Sequence, residues 1–318
     1  MEYSQRINSA IDSLLISSKG EIKSRIEELS YNIKVDNTNT LIHTYCLKAD
    51  GNGNLRLRDL IEFIDEKIVD YAIPKKEIDD AKQHQSETGS TRKILALRKK
   101  AEGLFTDLEK TGEGGEILLY ILVEEFLKIP QMISKMSLKT SGALHYQGSD
   151  GIHVKYDSDT GKLNLYWGEA KMYANLSDAV RECFDSIKGF LLDPISANSV
   201  QERDLQLITA NVANNINNEE LEDAIVQYFD KDNDLSNNVE YKGVCFIGFD
   251  SDKYPAEDPT CTTTKIIEVL TGELQTWHST LGNKVKKCPN LSLKEIHVFM
   301  MPFPSVAKFR EYYLKEIK

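Results

Sequence analysis

Lys162-Leu163-Asn164-Leu165-Tyr166-Trp167-Gly168-Glu169-Ala170-Lys171-Met172-Tyr173 is the stretch that decides how this chain reads. Strand side chains alternate between two faces, so Leu163, Leu165, Trp167, Glu169 and Lys171 fall on one side. Three apolar residues are followed, on the face that should meet a core, by an acid and a base. Charges in line with a core face are costly unless they pair or bind a metal. Immediately upstream, Asp150 to Tyr156 reads as a second strand, joined through the turn Asp157-Ser158-Asp159-Thr160-Gly161. There Asp150 shares a face with Ile152, Val154 and Tyr156.

Acid-x-Lys spacing alone carries little weight, because it recurs at Glu21/Lys23, Asp65/Lys67, Asp80/Lys82, Glu240/Lys242 and Glu316/Lys318. Four of these pairs lie in predicted helices, where side chains two apart do not share a face. Glu240/Lys242 precedes an apolar strand but has no acid-bearing strand before it. Only Glu169/Lys171 combines a strand, an apolar shared face and the upstream Asp150. A divalent-metal site accounts for the combination: Mg²⁺ takes hard oxygen ligands, often one or two carboxylates with water and substrate phosphate. Asp150 and Glu169 would supply carboxylates and Ala170 its backbone carbonyl. Lys171 would orient or deprotonate a water, or neutralise charge on phosphate. The plainer alternative is a buried Glu169–Lys171 ion pair with an incidental Asp150.

Further upstream, Gly112-Glu113-Gly114-Gly115 breaks the chain before an apolar helix from Glu116 to about Leu127. Glu116 shares a stripe with Leu119, Tyr120, Val123 and Leu127, so it points inward from the first turn. It could complete a metal shell, or simply complement the helix dipole as Glu113 would. A short strand is expected near 143–147 and carries His145. His153 alternates away from Asp150 and is expected to be exposed. After the decisive strand come a helix capped by Ser177, a polar helical region at 200–230, the strand Val244–Phe249, a helix at 263–281, the strand Ile296–Met301 and a helix from Ser305. The pattern predicts a mixed α/β fold.

With Asp150 and Glu169-Ala170-Lys171 on successive strands after a Glu-bearing helix, the chain resembles the PD-(D/E)xK nuclease superfamily. Ser149 stands where the motif has proline. The strings Gly112 to Tyr120, Ser149-Asp150-Gly151-Ile152-His153 and Trp167 to Lys171 are more particular and are similar to the HamA family, the nuclease subunits of Hachiman anti-phage defence systems. The resemblance covers roughly residues 110–195. It implies a restriction-endonuclease-like αβββαβ core at 111–318 behind a mostly helical N-terminal domain at 1–110. It also implies metal-dependent cleavage of DNA phosphodiesters with Mg²⁺ (Mn²⁺ as a substitute) and a HamB-like helicase subunit as partner. Asp150, Glu169, Lys171 and Glu116 would be the catalytic set. Two rivals remain: a catalytically silent nuclease-fold module of the same complex, and a nuclease acting on RNA.

The N-terminal stretch reads as helix through Ile7, Ile11, Leu14 and Leu15, and again through Ile22, Ile26 and Leu29. A strand is expected at His43–Leu47, a helix at Arg58–Ile73 stopped by Pro74, polar and loop-like sequence at 75–90, and a basic helix at 91–109. Composition sets outer limits. The 318 residues carry 39 Lys plus Arg against 50 Asp plus Glu, a net charge of −11. Binding a phosphate backbone by overall charge is therefore excluded, and a local basic surface or a partner must do that work. The polar N-terminus and the lack of a roughly 20-residue apolar run predict a cytoplasmic protein with no membrane contact. Five cysteines without a CxxC spacing argue against structural zinc or disulfides. No phosphate-loop or dinucleotide fingerprint occurs, so the chain cannot power its own movement along DNA.

Overall fold

In the computed structural model the alternation at 162–173 is a strand, β4 (Lys162–Tyr173), paired antiparallel with β3 (Gly151–Asp157). The structure describes residues 2–16, 20–105, 112–134, 136, 148–193, 199–214 and 219–317. The strand expected near 143–147, with His145, lies outside them. The turn joining the hairpin is held by Asp157, whose carboxylate accepts the N–H of Asp159 at 3.0 Å and the hydroxyl of Thr160 at 2.7 Å.

Before the hairpin come α1 (Glu2–Ser13), β1 (Ile26–Lys34), β2 (Thr40–Leu47), α2 (Leu57–Glu66), α3 (Ile68–Ala72), α4 (Lys75–Thr88), α5 (Arg92–Glu102) and α6 (Glu113–Leu122). A single π turn, Val123–Leu127, prolongs α6. After the hairpin come α7 (Leu176–Leu192), α8 (Val200–Asn211), α9 (Glu219–Phe229), β5 (Val239–Asp250), α10 (Thr263–Thr271), α11 (Leu274–Lys286), α12 (Pro289–Ser292), β6 (Ile296–Phe303) and α13 (Val306–Glu316).

The strands form one mixed sheet in the order β1-β2-β6-β5-β4-β3, so the fold is mixed α/β. Pairing is parallel from β2 through β6 and β5 to β4, and antiparallel at both outer hairpins. Both faces of the central strands are covered, which is why β5 and β6 read as unbroken apolar runs rather than alternating ones. On one face Leu165, Trp167, Cys245, Ile247 and Val298 pack with Phe184 and Ile187 of α7 and Trp277 of α11. On the other, Tyr166, Ala170, Phe246 and Phe299 pack with Leu118 and Leu119 of α6, Ile64 of α2 and Phe309 of α13.

Several sequence expectations are corrected. Residues 26–34 are a strand, not the continuation of a helix. β1 pairs with β2 through register shifts at Glu28/Ser30 and Ser30/Ile33, and Asn32 sits at φ 56°. Such bulges break the two-residue alternation and left Ile22, Ile26 and Leu29 at helix-like spacing. β1 and β2 belong to the same sheet as β3 to β6. The polar stretch 75–90 is α4, ended by Gly89 at φ 74°. It is steadied at its surface by Lys75–Asp79 (3.4 Å) and by Lys100–Glu77 (2.7 Å) from α5. Asn175 rather than Ser177 caps α7, accepting the N–H of Asp178 at 3.2 Å. The helix expected at 263–281 is two, α10 and α11. His153 is buried, 1% exposed, with Nδ1 at 3.2 Å from the Ile129 carbonyl and its ring against Tyr120. Burial pushes its pKa down to about 4. All five cysteines are free thiols, four of them buried. No helix among the described residues is long and apolar enough to cross a membrane.

Candidate active site

β3 and β4 meet at their inner end through two glycines. Gly151 faces Gly168, and a Cβ on Gly168 would meet the Gly151 backbone at 3.1 Å. The register continued by one step sets Asp150 opposite Glu169. β3 stops there, but β4 runs on to Tyr173, paired only with β5. The last residues of β4 therefore present an open backbone edge, and the side chains of Asp150 and Arg310 bond to it.

Asp150 caps the first position of that edge. Its N–H donates to the Gly168 carbonyl at 2.9 Å, and its Oδ2 accepts the N–H of Ala170 at 2.8 Å. N–H and C=O of one strand residue project to the same side, so the Ala170 carbonyl faces this edge as well. Two residues further on, Arg310 of α13 donates from Nη2 to the Met172 carbonyl at 2.5 Å. Among the described residues no carboxylate pairs with this guanidinium.

Glu169 points to the α7 face and is 3% exposed. Burial and then the negative charge of Asp150 push its carboxyl up to about 7, while Lys171 and the Ser186 hydroxyl oppose the shift. Lys171 pairs with Glu169 Oε1. Burial works against its charge, but Glu169 and Asp150 outweigh that and hold the ammonium above its ordinary pKa. Beneath, the Cys183 thiol of α7 reaches the Glu169 carbonyl at 3.7 Å.

Glu116 stands across the gap in the first turn of α6, half-buried. The Tyr71 hydroxyl lies 3.3 Å from Glu116 Oε2 and 3.3 Å from the Asp150 carbonyl oxygen, tying the helix acid to the strand acid. The Tyr71 ring is buried, and burial followed by the charges of Glu116 and Asp150 holds its phenol well above its ordinary pKa. These groups open on a cleft of about 200 Å³ bordered by Glu116, Asp150, Ala170, Lys171, Tyr173 and Arg310.

Glu116, Asp150 and Lys171 thus border one cleft, and Glu169, buried on the α7 side, joins them through its ion pair with Lys171. Tyr71 was missed, and Arg310 was not assigned to the site. Each reaches the cleft through the fold, and neither belongs to a local motif. Among the described residues no three His, Cys, Asp or Glu side chains converge into a ready-made metal cage. The donors present are the carboxylates of Asp150 and Glu169, the latter pushed towards protonation by burial and then by Asp150, and the Ala170 carbonyl. That set suits a hard dication that keeps most of its water, and it lacks the nitrogen or sulfur ligands usual for zinc.

No curated protein matches the chain. A model of the HamA family matches residues 21–317, nearly the whole length and far beyond the motif-bearing region. The chain belongs to the HamA family and is a component of Hachiman defence.

Proposed function

We propose that this chain is the metal-dependent DNA-cleaving subunit of its defence complex and works beside a helicase subunit. The observation that carries this reading is the placement of Asp150, Glu169 and Lys171 at the point where β3 ends and β4 continues. An acid pushed towards protonation by burial and then by a second acid marks a site that a further positive charge would stabilise. Bound Mg²⁺ or Mn²⁺ would supply that charge, polarise a phosphodiester and lower the pKa of a coordinated water. Asp150, Glu169 and the Ala170 carbonyl would hold the ion, with Glu116 as the acid facing it across the cleft.

The chain's own groups divide the remaining work. Lys171 stays protonated at neutral pH, so its role is to stabilise negative charge on phosphate rather than to remove a proton from water. Tyr71 fixes Glu116 relative to Asp150. Arg310, tethered at the cleft wall, offers its remaining N–H groups to a neighbouring phosphate. An acidic chain can then act on DNA that its partner holds.

The test is cleavage of plasmid and single-stranded DNA by the complex with its helicase, comparing the native chain with Glu169→Gln. Loss of cutting with the complex intact is expected. Native-rate cutting by the variant would remove the assignment. A second reading, a silent nuclease-fold module, is favoured by one observation: Lys171 closes onto Glu169. Undiminished phage resistance with Glu169→Gln would select it.

A further inference from the structure

Helix α8 buries the wrong kind of residues. Gln201, Asp204 and Ile208 form its inward stripe at i, i+3 and i+7, where apolar side chains are the rule. Gln201 is 5% exposed and Asp204 is fully buried. Both polar groups meet backbone. Gln201 donates to the Gly189 carbonyl at the end of α7. Asp204 Oδ2 accepts from Ser149, taking its N–H at 3.3 Å and its hydroxyl at 3.1 Å. The same hydroxyl lies 3.1 Å from the Gly151 carbonyl.

Ser149 immediately precedes Asp150. Ser149 lies just ahead of β3, and the residue lacks the fixed φ that the motif's proline would supply. Its N–H would otherwise be a buried donor in need of an acceptor. We propose that Asp204 is a positioning residue for the metal-binding carboxylate: it anchors the backbone of Ser149 so that Asp150 is held against the β4 edge. Burying a carboxylate is costly without donors, and both Ser149 groups that Asp204 Oδ2 accepts from belong to the residue that sets the direction of Asp150. The role rests on the metal-dependent reading above and assigns Asp204 no contact with substrate. Mutating outer residues of this kind typically costs about 10- to 100-fold in metal affinity.

The experiment is Mn²⁺ binding to the purified full-length chain by titration calorimetry, without any turnover. The chains compared are native, Asp204→Ala, Asp204→Asn and Asp150→Ala, each checked by circular dichroism and thermal melting. Asp150→Ala should lose binding. Asp204→Ala should weaken it about 10- to 100-fold while remaining folded. Asp204→Asn keeps an acceptor oxygen and should stay within a few-fold of native. Unchanged affinity in folded Asp204→Ala, with binding lost in Asp150→Ala, would overturn this inference alone. Unchanged affinity in Asp150→Ala would overturn the metal-site reading and this inference with it. An Asp204→Asn variant as weak as Asp204→Ala would overturn the hydrogen-bond account. If Asp204→Ala does not fold, Ser149→Ala decides: it removes one of the two donors to Asp204 Oδ2 and should weaken binding, and native affinity in it would overturn the role.

Discussion

The carboxylate of Asp150 accepts the backbone N–H of Ala170 at 2.8 Å, so one side chain both ends the pairing of β3 with β4 and borders the cleft. Structure and candidate chemistry share that oxygen pair, and the two can be separated. Asp150→Asn keeps an acceptor for Ala170, whereas Asp150→Ala leaves its N–H unpaired. Urea denaturation should show Asp150→Ala less stable by about 1–2 kcal/mol and Asp150→Asn near native. Both should lose DNA cleavage, since a neutral amide is a poor ligand for a hard dication. Equal stability of the two variants would mean that the Ala170 contact contributes nothing.

Tyr71→Phe removes one hydroxyl from between Glu116 and Asp150 and leaves a ring that packs against Tyr120 and Phe105. Stability should fall by only about 1 kcal/mol, while cleavage falls about tenfold or more because the two acids lose their common tether. A variant that cuts DNA at the native rate would show that Glu116 needs no such tether.

The pH dependence follows from Glu169. Its carboxyl is raised to about 7 by burial and Asp150, so below pH 7 it is mainly protonated and must release a proton before a cation can bind. Metal affinity should therefore weaken as pH falls below 7, by up to about tenfold per unit. It should level off above 7. Folding carries the opposite sign: the raised pKa favours the folded chain at low pH, and this contribution is lost as pH rises through 7. Mn²⁺ titrations at pH 6, 7 and 8 measure the first effect, and a flat series would contradict it.

Arg310→Gln removes a cation anchored on the Met172 carbonyl. DNA binding should weaken for all sequences alike, and the slope of log affinity against log salt should shrink by about one. Fluorescence anisotropy with an oligonucleotide across a salt series provides the measurement. An unchanged slope would place Arg310 outside the DNA path.

How far sequence could go is clear from individual residues. β4 was legible because its alternation is unbroken from Leu163 to Lys171 and ends in charges that a core face should not hold. β1 was not, because its bulges destroy the period that identifies a strand. α4 hid behind its polarity: only Ile78 and Ala81 are buried, too few to mark a face. Glu116, Asp150, Glu169 and Lys171 were legible as a local pattern. Tyr71 and Arg310 were not, since their contacts span 79 and 138 residues. Asp204 reads in sequence as one more acid in a polar helix, and only burial distinguishes it.

The parallel pairing of β2 with β6, from Thr40↔Ile296 to Thr44↔Met300, has a practical outcome. A fragment starting at residue 111 would strip β6 of its neighbour and bare a row of amide groups in an apolar strand. Such a raw margin is a template for self-association. Anyone trimming this protein to its acid-bearing half should expect inclusion bodies rather than a minimal enzyme.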